Sequence, residues 1–123
     1  MSASLTLSGG LARPYVKLLS TTSRFDVYTA TKAERSKIVS VSVVNATNAA
    51  KIVLLEWYDG TNYHKIWRKS VAADSTEIVT DIPVAFKTDG EKLCATEAVT
   101  GNVVTVTAFI ATDTSAMGQG SAA

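Results

Sequence analysis

The segment from Ala50 to Ser70, AKIVLLEWYDGTNYHKIWRKS, constrains the fold most, because its pattern is typical of two β-strands joined by a tight turn. In an extended chain Val53, Leu55 and Trp57 point to one side, and the residues between them point to the other. The four residues Asp59 to Asn62 are turn formers, since Gly tolerates positive φ and Asp and Asn hydrogen-bond to their own backbone. The segment therefore predicts a β-hairpin with one face available for a core.

Further strands are predicted on both sides of this hairpin. In IVSVSVV the side chains of Val39, Val41 and Val43 fall on one face, and the run VVTVTAFI at Val103 to Ile110 alternates in the same way. The other expected strands are Tyr15 to Leu19, Phe25 to Thr31, Thr76 to Ile82, Val84 to Phe86 and Lys92 to Glu97. With roughly seven to nine short strands and no helical periodicity, the sequence predicts an all-β antiparallel sandwich, jelly-roll or immunoglobulin-like, with a small barrel as the alternative.

The length of 123 residues predicts one domain flanked by two short extensions. Residues 1–14 are small and polar and contain Gly9-Gly10, which predicts an arm that orders on a neighbour; a frayed terminus is the alternative. Leu5 and Leu7 could add a short edge strand there and are candidate partner contacts. The sandwich is expected over residues 15–111, and residues 112–123 are expected to be a flexible tail.

Charge and cysteine content exclude several classes of protein. The net charge is +1 with acidic and basic residues spread along the chain, so we expect neither nucleic acid nor membrane as a partner. The single cysteine, Cys94, excludes an intramolecular disulfide and is expected to be buried and inert. No secretory signal or membrane-spanning apolar run is recognisable, so synthesis in a cytoplasm is expected.

No motif for catalysis, metal binding or cofactor binding is present in the sequence. His64 is the only histidine and has no nucleophile motif beside it. One imidazole with the nearby acids Glu56 and Asp59 is a poor zinc or iron signature. No phosphate-binding loop or dinucleotide fingerprint occurs. We therefore predict no enzymatic activity, no cofactor and no metal site.

The aromatic residues of the central hairpin are the strongest candidates for contacts with a ligand or a partner. Aromatic rings stack on sugars and anchor protein interfaces, although a sandwich core also contains them. Trp57 shares a strand face with Leu55 and is predicted to lie in the core. Tyr58 and Tyr63 flank the turn and are the better candidates for surface contacts, with Trp67 as a further candidate.

Several short motifs follow one another in a fixed order between residues 25 and 111. They are the charged turn Lys32 to Lys37, the Val-rich strand Ile38 to Asn45, Tyr58-Asp59-Gly60, Ala73-Asp74-Ser75, the turn Asp89 to Leu93 and the strand Val103 to Ile110. This layout resembles small structural proteins in the virions of tailed bacteriophages.

The resemblance implies a β-sandwich without catalytic residues, located in the virion. It implies a head decoration or cement protein that binds and stabilises the shell. The alternative is a tail, neck or fibre component, which could be a module that recognises carbohydrate on the host. The implied partners are further copies of the chain, commonly in a trimer, and the major capsid protein or other virion proteins, contacted through an arm.

Overall fold

The computed structural model describes residues 12–31, 35–87, 89–98 and 104–112. These residues form strands connected by turns and loops, and none of them lies in a helix, so no membrane-spanning helix is found among them. The strands are β1 (Ala12–Leu19), β2 (Phe25–Thr29), β3 (Ser36–Asn45), β4 (Lys51–Tyr58), β5 (Tyr63–Val71), β6 (Ser75–Val79), β7 (Ala85–Phe86), β8 (Lys92–Glu97) and β9 (Val104–Thr112).

The strands pair into two antiparallel sheets. Sheet A has the order β1-β9-β3-β6, with the short β7 also paired to β3. Sheet B has the order β2-β8-β4-β5 and contains the central hairpin as β4 and β5. The prediction of an all-β antiparallel sandwich is confirmed.

The core lies between the two sheets and is built from the inward positions of alternating strands. In β9 the buried residues Val104, Val106, Ala108 and Ile110 alternate with partly exposed ones. The fully buried Leu55 belongs to the inner side of sheet B. Burying a Val or Leu side chain contributes roughly 1.5–3 kcal/mol, so these inward rows supply most of the driving force for folding.

A β-bulge in β3 overturns one facing prediction. The register between β3 and β9 shifts between Ile38 and Ser40, which inserts Val39 as an extra residue. An extra residue reverses the alternation of faces, so Ile38 is buried and Val39 is 45% exposed. The prediction that Val39 shares the buried face of Val41 is therefore wrong.

Several strand boundaries also differ from those expected. β1 begins at Ala12, where it pairs with Ala111 of β9, so the end of the predicted arm up to Pro14 belongs to the sheet. β2 ends at Thr29, and β9 continues to Thr112. β6 ends at Val79, because the chain turns through Asp81 at a φ of 59° and then meets a proline. Leu5, Leu7 and residues 113–123 lie outside the described residues.

Candidate functional site

The outer surface of sheet A carries aligned rows of uncharged side chains. The register places Val16, Thr107, Ser42 and Ile78 side by side across all four strands. Parallel rows lie on either side of it. We call this surface the uncharged face; its residues are Pro14, Val16 and Leu18 of β1, Thr105, Thr107 and Phe109 of β9, Ser40, Ser42 and Val44 of β3, and Thr76 and Ile78 of β6.

Large apolar side chains are exposed on the uncharged face. Val16 is 56% exposed, Leu18 55% and Ile78 61%. Among the described residues, the other exposed large hydrophobic side chains are Val39, also on sheet A, and Tyr63 on sheet B. Val16 and Leu18 lie on the edge strand β1 and Ile78 on the opposite edge strand β6, with the half-buried Thr107 and Ser42 between them. Exposed apolar side chains on a face without charges are typical of a contact site for another protein. The next row contains Lys37, which bounds the face.

The outer surface of sheet B has the opposite chemistry. One cross-strand row contains Asp26, Cys94, Glu56 and Lys65, and the next contains Thr29, Lys92, Tyr58 and Tyr63. Together with Arg24, which precedes β2, these residues form what we call the charged face.

Arg24 links the charges and the aromatic rings of the charged face. Its Nε donates a 2.9 Å hydrogen bond to Oε1 of Glu56, which raises the pKa of Arg24, and its guanidinium carbon lies 3.5 Å from the centroid of the Tyr63 ring. Nζ of Lys92 donates to Oδ2 of Asp26 at 3.0 Å. In these two ion pairs, four of the charges on this face are neutralised from within the chain.

The structure separates the aromatic residues that the sequence analysis grouped together. Tyr58 and Tyr63 are adjacent on the charged face, with ring centroids 4.5 Å apart. Trp67 pairs with the buried Leu55, faces the opposite side and packs half-buried against the core. A contact role for the two tyrosines stays a prediction, and Trp67 cannot share their surface.

Cys94 and His64 show no sign of catalytic activation. Cys94 is buried, as expected, and burial beside Asp26 raises the pKa of its thiol to about 12, so the thiolate is not formed at neutral pH. Nε2 of His64 lies 2.8 Å from Oδ2 of Asp59 on an exposed turn. Within the described part of the chain, no group of three or more His, Cys, Asp or Glu side chains could hold a metal ion.

A cleft that the sequence analysis did not anticipate opens at one end of the sandwich, beside the connection that leads into β7. It has a volume of about 450 Å³ and is lined by Trp57, Asp59, Pro83, Val84, Ala85, Lys87 and Glu91. We call it the Trp57 cleft. Trp57 was expected in the core; it does contact the core but is only half-buried, and its outer part lines this cleft.

Comparison with known proteins identifies relatives of the fold only. Neither a protein-family model nor a curated protein matches the chain. A chain in the acid-stable capsid structure of Helicobacter pylori bacteriophage KHP30 is similar, with a TM-score of 0.61, 11% identity and coverage of 85% of this chain and 89% of that chain. A chain in the crystal structure of PirA is similar with a TM-score of 0.52, 12% identity and coverage of 80% and 92%.

Proposed function

We propose that this protein is a non-enzymatic structural component of a phage virion, and specifically a decoration or cement protein that binds and stabilises the head shell through the uncharged face. The observation that carries the proposal is the uncharged row across sheet A, in which the exposed Val16 and Ile78 flank the half-buried Thr107 and Ser42. The likeness of the fold to a chain of a phage capsid structure supports it.

The uncharged face has the chemistry of the centre of a protein interface. Interface centres are depleted in charged residues, because desolvating an unpaired charge is costly. Burying exposed aliphatic side chains such as Val16, Leu18 and Ile78 would contribute on the order of 1 kcal/mol each, since each is already about half buried in the free chain. Contact with an uncharged part of a shell protein would therefore stabilise the complex without leaving charges unpaired.

The uncharged face is too small to bind a shell alone. The face spans four strands about 4.8 Å apart, and each strand contributes about five residues with a rise of about 3.4 Å per residue, so its area is on the order of 300 Å². A stable interface buries about 800 Å² on each partner. The proposal therefore includes the arm with Leu5 and Leu7 as a second contact. The arm leads directly into β1, which carries Val16 and Leu18, so both contacts can reach one partner.

Contacts between copies of the chain, expected in a trimer, would add to this area. Light scattering on the purified protein measures the mass directly. A stable mass of three chains is expected; a monomer at assembly concentrations would contradict the trimer but not the shell contact.

Co-sedimentation with empty capsids of the phage that carries this protein tests the shell contact. Thr107→Glu places a carboxylate in the middle of the uncharged face, and at least a tenfold loss of affinity is expected, equivalent to about 1.4 kcal/mol. Thr96→Glu is the matched control, since Thr96 is a half-buried residue on the outer side of a central strand of sheet B. Equal binding by the two variants would refute a contact through the uncharged face.

Removing residues 1–11 tests the arm separately, because this deletion leaves β1 intact from Ala12. The truncated protein is expected to keep its unfolding midpoint and to lose shell occupancy. Full occupancy without the arm would exclude the arm as an anchor.

A tail, neck or fibre component that recognises host carbohydrate is the second candidate function. The adjacent rings of Tyr58 and Tyr63, the latter 39% exposed, favour it. Two results together would favour this second candidate over the first. The protein would fail to sediment with shells, and it would bind host polysaccharide in a way that Tyr63→Ala abolishes.

A further inference from the structure

The Trp57 cleft lies apart from the uncharged face and plays no part in the shell contact proposed above. It opens between the end of β4, which contributes Trp57, and the segment from Pro83 to Lys87, which contains β7. Its volume of about 450 Å³ is in the range of clefts that hold small ligands, roughly 300–1,000 Å³. The cleft is therefore large enough for a compact ligand.

The aromatic wall of the cleft is held in place by a buried carboxylate. Nε1 of Trp57 donates a 2.9 Å hydrogen bond to Oε1 of Glu91, which is 4% exposed. Oε2 of Glu91 accepts a second hydrogen bond from the backbone N–H of Lys87 at 2.9 Å. These two bonds fix the indole ring relative to the opposite wall, and the His64 ring packs against it with centroids 5.2 Å apart. The part of the indole that lines the cleft is therefore preorganised.

The polar rim of the cleft is fixed in the same way. Oδ1 of Asp59 accepts hydrogen bonds from the backbone N–H groups of Thr61 and Asn62, and Oδ2 lies 2.8 Å from Nε2 of His64. These contacts lower the pKa of Asp59 to about 2, so its side chain is an anionic acceptor at any physiological pH. Oδ2 retains capacity for a further hydrogen bond.

The chemistry of the walls discriminates among ligand classes. Two carboxylates, from Asp59 and Glu91, disfavour an anion, while the ammonium group of Lys87 offsets their attraction for a cation. An aromatic ring beside Pro83 and Val84 suits a ligand with one apolar face, and the rim offers both hydrogen-bond acceptors and a donor. A sugar ring meets these requirements, because it has a C–H face for stacking and hydroxyl groups at its edge.

We propose that the Trp57 cleft binds a neutral pyranose, free or as part of a glycan, with the ring stacked on Trp57 and hydroxyl groups bonded to Asp59 and Lys87. The site is distinct from the Tyr58 and Tyr63 pair, which lies on the outer side of sheet B. It is also independent of the shell contact.

Fluorescence of the full chain carrying Trp67→Phe tests the proposal, because Trp57 is then the only tryptophan. The probes are methyl glycosides of glucose, galactose and N-acetylglucosamine, and trisaccharides of the same sugars. A saturable change in Trp57 emission is expected with at least one of them. Saturation by a methyl glycoside assigns the site to a single ring, whereas saturation only by a trisaccharide assigns it to a glycan chain.

Two substitutions separate the cleft from other surfaces. Asp59→Asn keeps an oxygen to cap the turn and is expected to weaken binding about tenfold by calorimetry, whereas Tyr63→Ala leaves affinity unchanged. Circular dichroism and unfolding midpoints verify that both variants fold. The proposal would be overturned if no sugar gave a saturable change. It would also be overturned if Tyr63→Ala lost affinity for the sugar while Asp59→Asn kept it.

Failure of the sugar site and failure of the shell contact are distinguishable. Trp57→Phe is expected to abolish sugar binding and to leave co-sedimentation with capsids unchanged. Thr107→Glu is expected to have the reverse effects. Loss of both properties in either variant would contradict the independence of the two sites.

Discussion

The two outer faces of the sandwich differ in how far their interactions are completed within one chain. On the charged face Arg24 pairs with Glu56 and Lys92 pairs with Asp26. On the uncharged face Val16 and Ile78 remain more than half exposed, and no described residue covers them. The comparison teaches that one face contributes ion pairs to the stability of the isolated chain, whereas the other keeps apolar side chains exposed and is the face proposed to contact a second molecule.

The difference arises from side chains alone, since both faces are built on four antiparallel strands. Thr, Val and Ile are enriched in strands, so the outward positions of sheet A are compatible with the fold although they do not contribute to the core. The outward positions of sheet B hold ion pairs and stacked rings instead. The proposed shell contact therefore depends on outward residues, which the fold itself leaves free to vary.

The largest effect on stability that this comparison predicts is that of Arg24→Ala. The side chain of Glu56 is only 7% exposed, so removing Arg24 leaves a largely buried carboxylate without its ion pair. A loss of about 2 kcal/mol in unfolding free energy is expected, below the value for a fully buried pair because Arg24 itself is partly solvated. Urea unfolding measures it. The exposed Arg68, on the same sheet, is the control, and Arg68→Ala is expected to change stability by less than about 0.5 kcal/mol.

A smaller effect of opposite sign is predicted for Glu97→Gln. Glu97 is fully buried on β8 with no hydrogen bond to either carboxylate oxygen, and desolvation raises its pKa by more than the charge of the buried Lys51 lowers it. The folded state then binds a proton more tightly than the unfolded state, so the carboxylate destabilises the fold increasingly as pH rises above its ordinary pKa of about 4.3. The variant is expected to be more stable at pH 7 by about 1 kcal/mol.

The pH dependence of the Glu97→Gln effect is the decisive part of that experiment. The gain should disappear as pH falls below the ordinary pKa of glutamate, because wild-type Glu97 is then neutral in both states. Unfolding curves of both proteins between pH 3 and 8 measure the difference. A gain that is the same at every pH would show that the carboxylate charge is not its cause.

The smallest effect on stability is predicted for Val16→Ser on the uncharged face. Val16 is 56% exposed on an edge strand, so its replacement should change the unfolding free energy by less than about 0.5 kcal/mol. Capsid co-sedimentation of the same variant should nevertheless fall. A destabilisation above about 1 kcal/mol would mean that Val16 is already packed in the isolated chain, and the contrast between the faces would fail.

Alternation predicted the strands well, because burial of every second residue is a local property of the sequence. β3, β4, β8 and β9 lie close to their expected positions, and the central hairpin forms as β4 and β5. The bulges were not predictable in this way. An extra residue at Val39 or at Ile66 depends on how a partner strand is paired, and pairing is a long-range property.

The candidate surfaces could be predicted only in part for the same reason. Tyr58 and Tyr63 flank one turn, so their proximity followed from the hairpin. The uncharged face required the register of sheet A, which places Val16 and Ile78 in one cross-strand row although they lie on opposite edge strands. The Trp57 cleft required Trp57 of β4 to meet Glu91, which lies just before β8, and no local pattern carries that information.

The pairing of Ala12 with Ala111 places the two ends of the described sandwich next to each other. Directly paired residues of antiparallel strands are only about 4.5–5.5 Å apart, so a short peptide could join the ends and close the chain into a ring. The exposed turn at Gly60 and Thr61 is then a suitable place to open new termini. For engineering, this makes the domain a candidate for circular permutation, and any pair of tags attached at residues 12 and 112 would emerge from one corner.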